Sequence, residues 1–307
     1  MEWLAILLAL LSAVCLAYGA QRQGSAVRAD TGGLSLNSSG FMRLLGNKRW
    51  MFGLLLLGAG MAMNVVALSL APLMVVQPIG AIALVITTVV NSRDRGIRLN
   101  RMTVVAISMC VTGSALFVVM AVQVTRESHT VRASDELTTV LLLAGVVAVF
   151  GFLAVTFGHH MRAFAFILGA GILFGFVAVL TRIIASQLLS GEGLAFANVQ
   201  WYTVLGIAAA GGLGAWFVQN AYSSGPPDLV IAGLTVIDPI VGIAIGIIIL
   251  GEARSDVPAV MIIAMGAAAL LAIVGVIALS RHHPDVVKST SGPRQRKRVA
   301  VIKNSER

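Results

Sequence analysis

Residues 225–252 read GPPDLVIAGLTVIDPIVGIAIGIIILGE, and this stretch decides the fold. It opens on a Gly-Pro-Pro turn, closes on Gly251-Glu252 and carries Asp238-Pro239 near its centre. A membrane-spanning helix needs about 20 mostly apolar residues, and the run supplies them. A carboxylate in the middle of a bilayer is expensive and is by default a functional-site hypothesis. A proline removes a backbone donor, which a membrane tolerates only where other groups satisfy the freed carbonyl. The pair therefore predicts a spanning helix interrupted at Pro239, with Asp238 at mid-depth.

The rest of the 307-residue chain has the same character. It is 58% hydrophobic and 11% charged, with a mean hydropathy of +0.92. A soluble domain carries roughly 25% charged residues. The chain is predicted to be an all-α polytopic membrane protein, which sets soluble enzymes far behind. Nine spans are predicted, at about 3–20, 50–70, 72–92, 102–123, 137–157, 163–187, 201–221, 228–250 and 257–279. The first is read as a retained helix, because its start carries Glu2 and lacks the basic residues of a signal peptide. Cys15 and Cys110 both fall inside apolar runs and read as packing residues.

The net charge of +9 suggests nucleic acid until it is placed along the chain. Segments 21–49, 93–101, 158–162 and the tail from 281 hold eighteen Lys and Arg, against three in the alternate loops, Arg126, Arg132 and Arg254. Basic residues favour the cytoplasmic side. The N-terminus is therefore predicted outside and the C-terminus inside, in the plasma membrane. Only an odd number of spans permits that. No basic face interleaved with aromatics remains to bind nucleic acid. The run Arg294–Arg298 suits anionic headgroups, at about 1 kcal/mol per charge, or a solvated, disordered tail. Loop 21–49 shows no apolar period beyond a short surface helix near Phe41–Leu45.

Two halves share a plan. Trp50 begins a span, Ala71-Pro72 makes a very short turn, and the next span carries Gln77-Pro78. Trp201 begins a second such unit, which turns at Gly225-Pro226-Pro227 and re-enters with Asp238-Pro239. The reading is a first four-helix repeat over 1–123, a linker helix within 124–162, a second four-helix repeat over 163–280 and a basic tail over 281–307. Five steps separate the first span from the sixth, so the repeats are inverted, as in many secondary transporters.

The motifs carry a resemblance. Ala221-Tyr-Ser-Ser-Gly-Pro-Pro, Ile237-Asp-Pro-Ile240 and Gly246-Ile-Ile-Ile-Leu-Gly-Glu252 resemble the end-of-repeat signature of the drug/metabolite transporter superfamily, the EamA-like proteins. The nine spans and Ala71-Pro-Leu-Met-Val-Val-Gln-Pro-Ile-Gly80 are closer to its NIPA magnesium-transporter branch. Most EamA-like proteins have ten spans, so each half here is read as one helix short. The resemblance implies the fold over about 1–280 and leaves the solute open.

The candidate site is a set of polar or helix-breaking residues inside the spans: Asp238, Pro239, Gln77, Pro78, Asn64, Gln219, Asn220 and Arg182. Asp238 reads either as a carboxylate that couples to protons or contacts a cation, or as an acid that caps the break at Pro239. Arg182 could pair with Asp238, bind an anionic solute or snorkel to the outer headgroups. Any single amide could equally be an interhelical hydrogen bond. Gly171 with Gly175 and Gly242 with Gly246 form GxxxG pairs, suited to internal packing or to a homodimer. His159-His160, His282-His283 and Glu252 read as interfacial. Metal-ligand spacing, P-loop and nucleophile–base pair are absent from the sequence, so no cofactor, resident metal or enzymatic activity is expected. The predicted function is alternating-access transport of a small solute, coupled to protons through Asp238. The alternatives are a Mg²⁺ or other divalent transporter and a non-transporting membrane partner in envelope assembly.

Overall fold

The computed structural model describes residues 2–31, 38–70, 82–95, 100–125, 132–158, 161–189, 199–254 and 256–282. They form α1 (Glu2–Thr31), α2 (Ser38–Leu45), α3 (Lys48–Leu70), α4 (Ile82–Arg95), α5 (Arg101–Val124), α6 (Ala133–Phe157), α7 (Ala163–Leu189), α8 (Trp201–Ser224), α9 (Pro227–Ile248) and α10 (Ala259–His282). Among the described residues there is no strand, only an isolated antiparallel bridge between Thr125 and Ala253. Among the described residues seven helices are long and apolar enough to cross a membrane: α1 and α5 to α10. The predicted second span coincides with α3. Of the predicted third span, only the part from Ile82 lies in a described helix, α4. Gln77 and Pro78 lie outside the described residues.

Helix starts follow local chemistry. Asn100 caps α5 by accepting from the Met102 amide at 3.3 Å. Pro227 opens α9, where its missing donor costs nothing. One boundary moved substantially. The cytoplasmic loop predicted from residue 21 is helical as far as Thr31, so α1 is about 45 Å long. The reason is tertiary. Gln21, Gln23, Ala26 and Val27 are buried in the bundle, so polar residues that read as a loop are paid for by interhelical contacts.

α1 packs on α3 and α4, α7 packs on α8 and α9, and α5 packs on α10. The last pair meets backbone to backbone. A Cβ added to Gly113 would lie 2.6 Å from the Ala272 nitrogen, and one added to Gly275 would lie 2.7 Å from the Cys110 nitrogen. Those pairs run in opposite chain directions, so α5 and α10 are antiparallel. Among the described residues α6 packs chiefly on α7 and α8, and it exposes Leu141, Val149, Phe152 and Val155.

Contacts between helix ends fall into two layers. In one, Arg28 meets the carbonyls of Tyr222 and Gly225, Asn91 meets Asp228, and Thr103 meets the His282 carbonyl. In the other, Glu136 meets Gln187 and Thr203, Arg182 meets Glu252, and Thr125 bridges Ala253. Glu2 and His282 therefore lie at opposite ends of the bundle.

Candidate functional site

α9 runs unbroken through Pro239 from Pro227 to Ile248, so the predicted interruption does not occur. The proline has no amide hydrogen, which leaves the Thr235 carbonyl without its helical donor. Ser114 of α5 supplies one: its Oγ donates to that carbonyl at 3.1 Å. Borrowed donors of this kind let a proline stay inside a membrane helix. The task of finishing the helix, one of two readings for Asp238, is thus performed by Ser114.

Asp238 is half-buried and makes no hydrogen bond or ion pair with any described residue. At 1.5 Å per residue it stands about 16 Å from Pro227 and about 15 Å from Ile248, the middle of its helix. α7 borders it closely. A Cβ on Gly171 would lie 2.7 Å from that of Ile237, and one on Gly175 would lie 3.1 Å from the Asp238 carbonyl oxygen. The Gly171/Gly175 pair therefore serves packing inside the chain.

The other predicted residues are spread through the bundle. Gln219 is buried; it accepts from the Trp50 indole at 2.9 Å and donates to Gln23 at 3.3 Å, tying α8 to α3 and α1. Asn220 is buried and donates to its own helix at Trp216 O, 3.0 Å. Asn64 is half-buried on α3. Arg182 does not meet Asp238. It pairs at 2.8 Å with Glu252, whose side chain is 3% exposed against 52% for the arginine. Glu252 reaches that place because Gly251, at φ 64°, reverses the chain and the Glu252 amide donates to Gly246 O at 3.0 Å. Gly246 leaves room for it: a Cβ there would lie 2.7 Å from Glu252 Oε2. The Gly246…Gly251-Glu252 motif is thus a folded-back helix end with a buried carboxylate.

Among the described residues two further acids are buried. Asp228, in the first turn of α9, is fully buried and accepts from Asn91 Nδ2 at 3.3 Å. Glu136, in the first turn of α6, is 2% exposed and accepts from Thr203 Oγ1 and from Gln187 Nε2. In sequence both look like the acids that commonly open a helix; the one available signal was the Gly-Pro-Pro before Asp228. Viewed along the bundle, a mid-depth carboxylate without a partner among the described residues has a polar layer at each end. Among the described residues no three His, Cys, Asp or Glu side chains cluster as a metal cage. A hydrated cation does not need one, since Mg²⁺ keeps several waters and takes one or two carboxylates.

Comparison with known proteins places the chain in a membrane transporter family. The profile of the magnesium transporter NIPA family matches residues 2–183. An uncharacterized protein of Corynebacterium glutamicum is 31% identical over 282 residues, covering 91% of this chain and 95% of the relative. No solved structure gives a significant match.

Proposed function

The chain belongs to the magnesium transporter NIPA family, and on that premise we propose that it carries a small divalent cation, Mg²⁺ foremost, across the membrane by alternating access. The observation that carries the reading is Asp238: an acid at mid-depth, without a partner among the described residues, and relieved by Ser114 of any duty toward Pro239. A solute moving between the two polar layers passes this carboxylate. The family favours a divalent cation over the broader solute class expected from sequence.

The architecture we propose is two inverted four-helix repeats. The first holds α1, α3, the span that ends in α4, and α5; the second holds α7 to α10; α6 links them. Three facts support it. α1 packs on α3 and α4 as α7 packs on α8 and α9. The last helix of each repeat, α5 and α10, packs on the other antiparallel. The chain's described ends lie at opposite ends of the bundle, as an odd number of crossings requires. With the arginine-rich layer in the cytoplasm, Glu2 faces outward.

Alternating access then needs the two repeat packings to differ in affinity for the ion. Protons compete with the cation for Asp238, so protonation lowers flux. The test is a proteoliposome assay with an internal Mg²⁺ indicator. Wild-type vesicles should fill on addition of external Mg²⁺, with Asp238→Asn vesicles near the protein-free baseline. Wild-type filling no faster than empty vesicles removes the Mg²⁺ reading; equal filling by Asp238→Asn removes the assignment of Asp238.

A further inference from the structure

A second polar feature lies away from Asp238, on the flank of α1, α3 and α4. A cavity of 620 Å³ is lined by Arg22 and Ser25 of α1, Arg49 at the start of α3, and Arg93 near the end of α4. Its α4 wall is aliphatic, Val85, Ile86, Val89 and Val90, and faces Tyr18 and Gln21 of α1 across the same cavity. Val85, Val89 and Tyr18 are 47%, 41% and 43% exposed, on the outer surface of the bundle. The three arginines are exposed, and none is ion-paired with any described residue.

Three guanidinium groups gathered from separate helices repel one another. They gain from an anion placed between them, and the planar guanidinium fork suits phosphate oxygens best. The same cavity continues down an apolar wall that no water-soluble anion would use. A phosphate joined to acyl chains fits both halves: headgroup on Arg22, Arg49 and Arg93, chain along Val85 and Val89. Basic pockets between membrane helices on the cytoplasmic side bind anionic headgroups in this way. All three arginines lie in the layer that contains Arg28 and Asp228, the layer read as cytoplasmic from the charge distribution. We propose that this cavity is a binding site for one anionic phospholipid, held by its phosphate. The occupied site joins α1, α3 and α4, three elements of the first repeat. It does not depend on which solute the protein carries.

The test uses the full chain in nanodiscs of phosphatidylcholine doped with a photoreactive phosphatidylglycerol whose diazirine sits on the acyl chain. Adducts should concentrate on peptides of residues 82–95, and the triple variant Arg22→Gln/Arg49→Gln/Arg93→Gln should lose them. Each arginine removed should weaken competition by unlabelled phosphatidylglycerol about fivefold. Replacing the tail run Arg294–Arg298 by glutamine is the control for general surface charge and should leave these adducts in place. If the triple variant misfolds, the wild-type adduct map decides. Adducts spread evenly over the lipid-facing helices, equal labelling by a phosphatidylcholine probe, or loss of labelling in millimolar inorganic phosphate would each overturn the site. The last result would assign it to free phosphate.

Discussion

Ser114 and Asp238 bear on one feature of α9, the proline at 239, and their variants should separate. Ser114→Ala removes the hydroxyl that donates to Thr235 O at 3.1 Å, and Ser114 is 8% exposed, so little water can replace it. An interhelical hydrogen bond in a membrane contributes roughly 0.6–2 kcal/mol, and the part-buried Thr235 carbonyl left without a donor sits toward the low end of the roughly 1–3 kcal/mol that a stranded buried group costs. The expected loss is about 1.5 kcal/mol, a drop in Tm of about 2–4 °C. Asp238→Asn keeps the size and removes the charge. The acid has no partner among the described residues to lose, so stability should stay within about 0.5 kcal/mol. Flux behaves the other way. A carboxylate facing a partly dehydrated divalent ion is worth at least about 2 kcal/mol, so Asp238→Asn should lower transport tenfold or more. Ser114→Ala should lower it less than about twofold, since the helix keeps its course through its neighbours. Two assays suffice: thermal unfolding of detergent-purified protein, followed by light scattering, and Mg²⁺-indicator flux in vesicles with matched protein content. If Asp238→Asn unfolds early and transports normally, the acid is a structural prop and the functional reasoning collapses.

Other perturbations follow from the same contacts. Gly113→Ala would place a methyl 2.6 Å from the Ala272 nitrogen, with no flexible side chain to yield; α5 and α10 must part, and a loss of about 2 kcal/mol or more is expected in thermal unfolding. Gly211→Ala, with nothing within 4 Å, should be neutral or stabilising by about 0.5–1 kcal/mol in that assay. Arg182→Gln strands the buried Glu252 carboxylate while Glu252→Gln does not; because the arginine is half exposed, the single arginine change should cost more than the double change by only about 1 kcal/mol. Single-cysteine variants of a Cys15→Ala/Cys110→Ala background should label at Glu2 from outside the cell and at His282 only after permeabilisation; labelling of both from one side would sink the odd-crossing topology.

The family resemblance came from the motifs Ala221–Pro227, Ile237–Ile240 and Gly246–Glu252, while length, apolar content and charge asymmetry sufficed to specify an all-helical membrane protein and most span boundaries to within a few residues. These properties are summed along the chain, and the bilayer reads them one segment at a time. Asp238 was also visible, because an acid inside an apolar run is costly wherever its helix lies. What a polar side chain touches could not be read that way. Gln21 and Gln23 read as loop until α3 and α8 cover them; Asp228 and Glu136 read as ordinary first-turn acids until Asn91, Thr203 and Gln187 close over them. Arg182 had several candidate roles, and the folded-back end at Gly251 gave it Glu252. The predicted break at Pro239 failed for the same reason. A missing donor is a local fact, but Ser114, 121 residues away in sequence, supplies it. The residues that fill such vacancies come from other helices, and only packing brings them there.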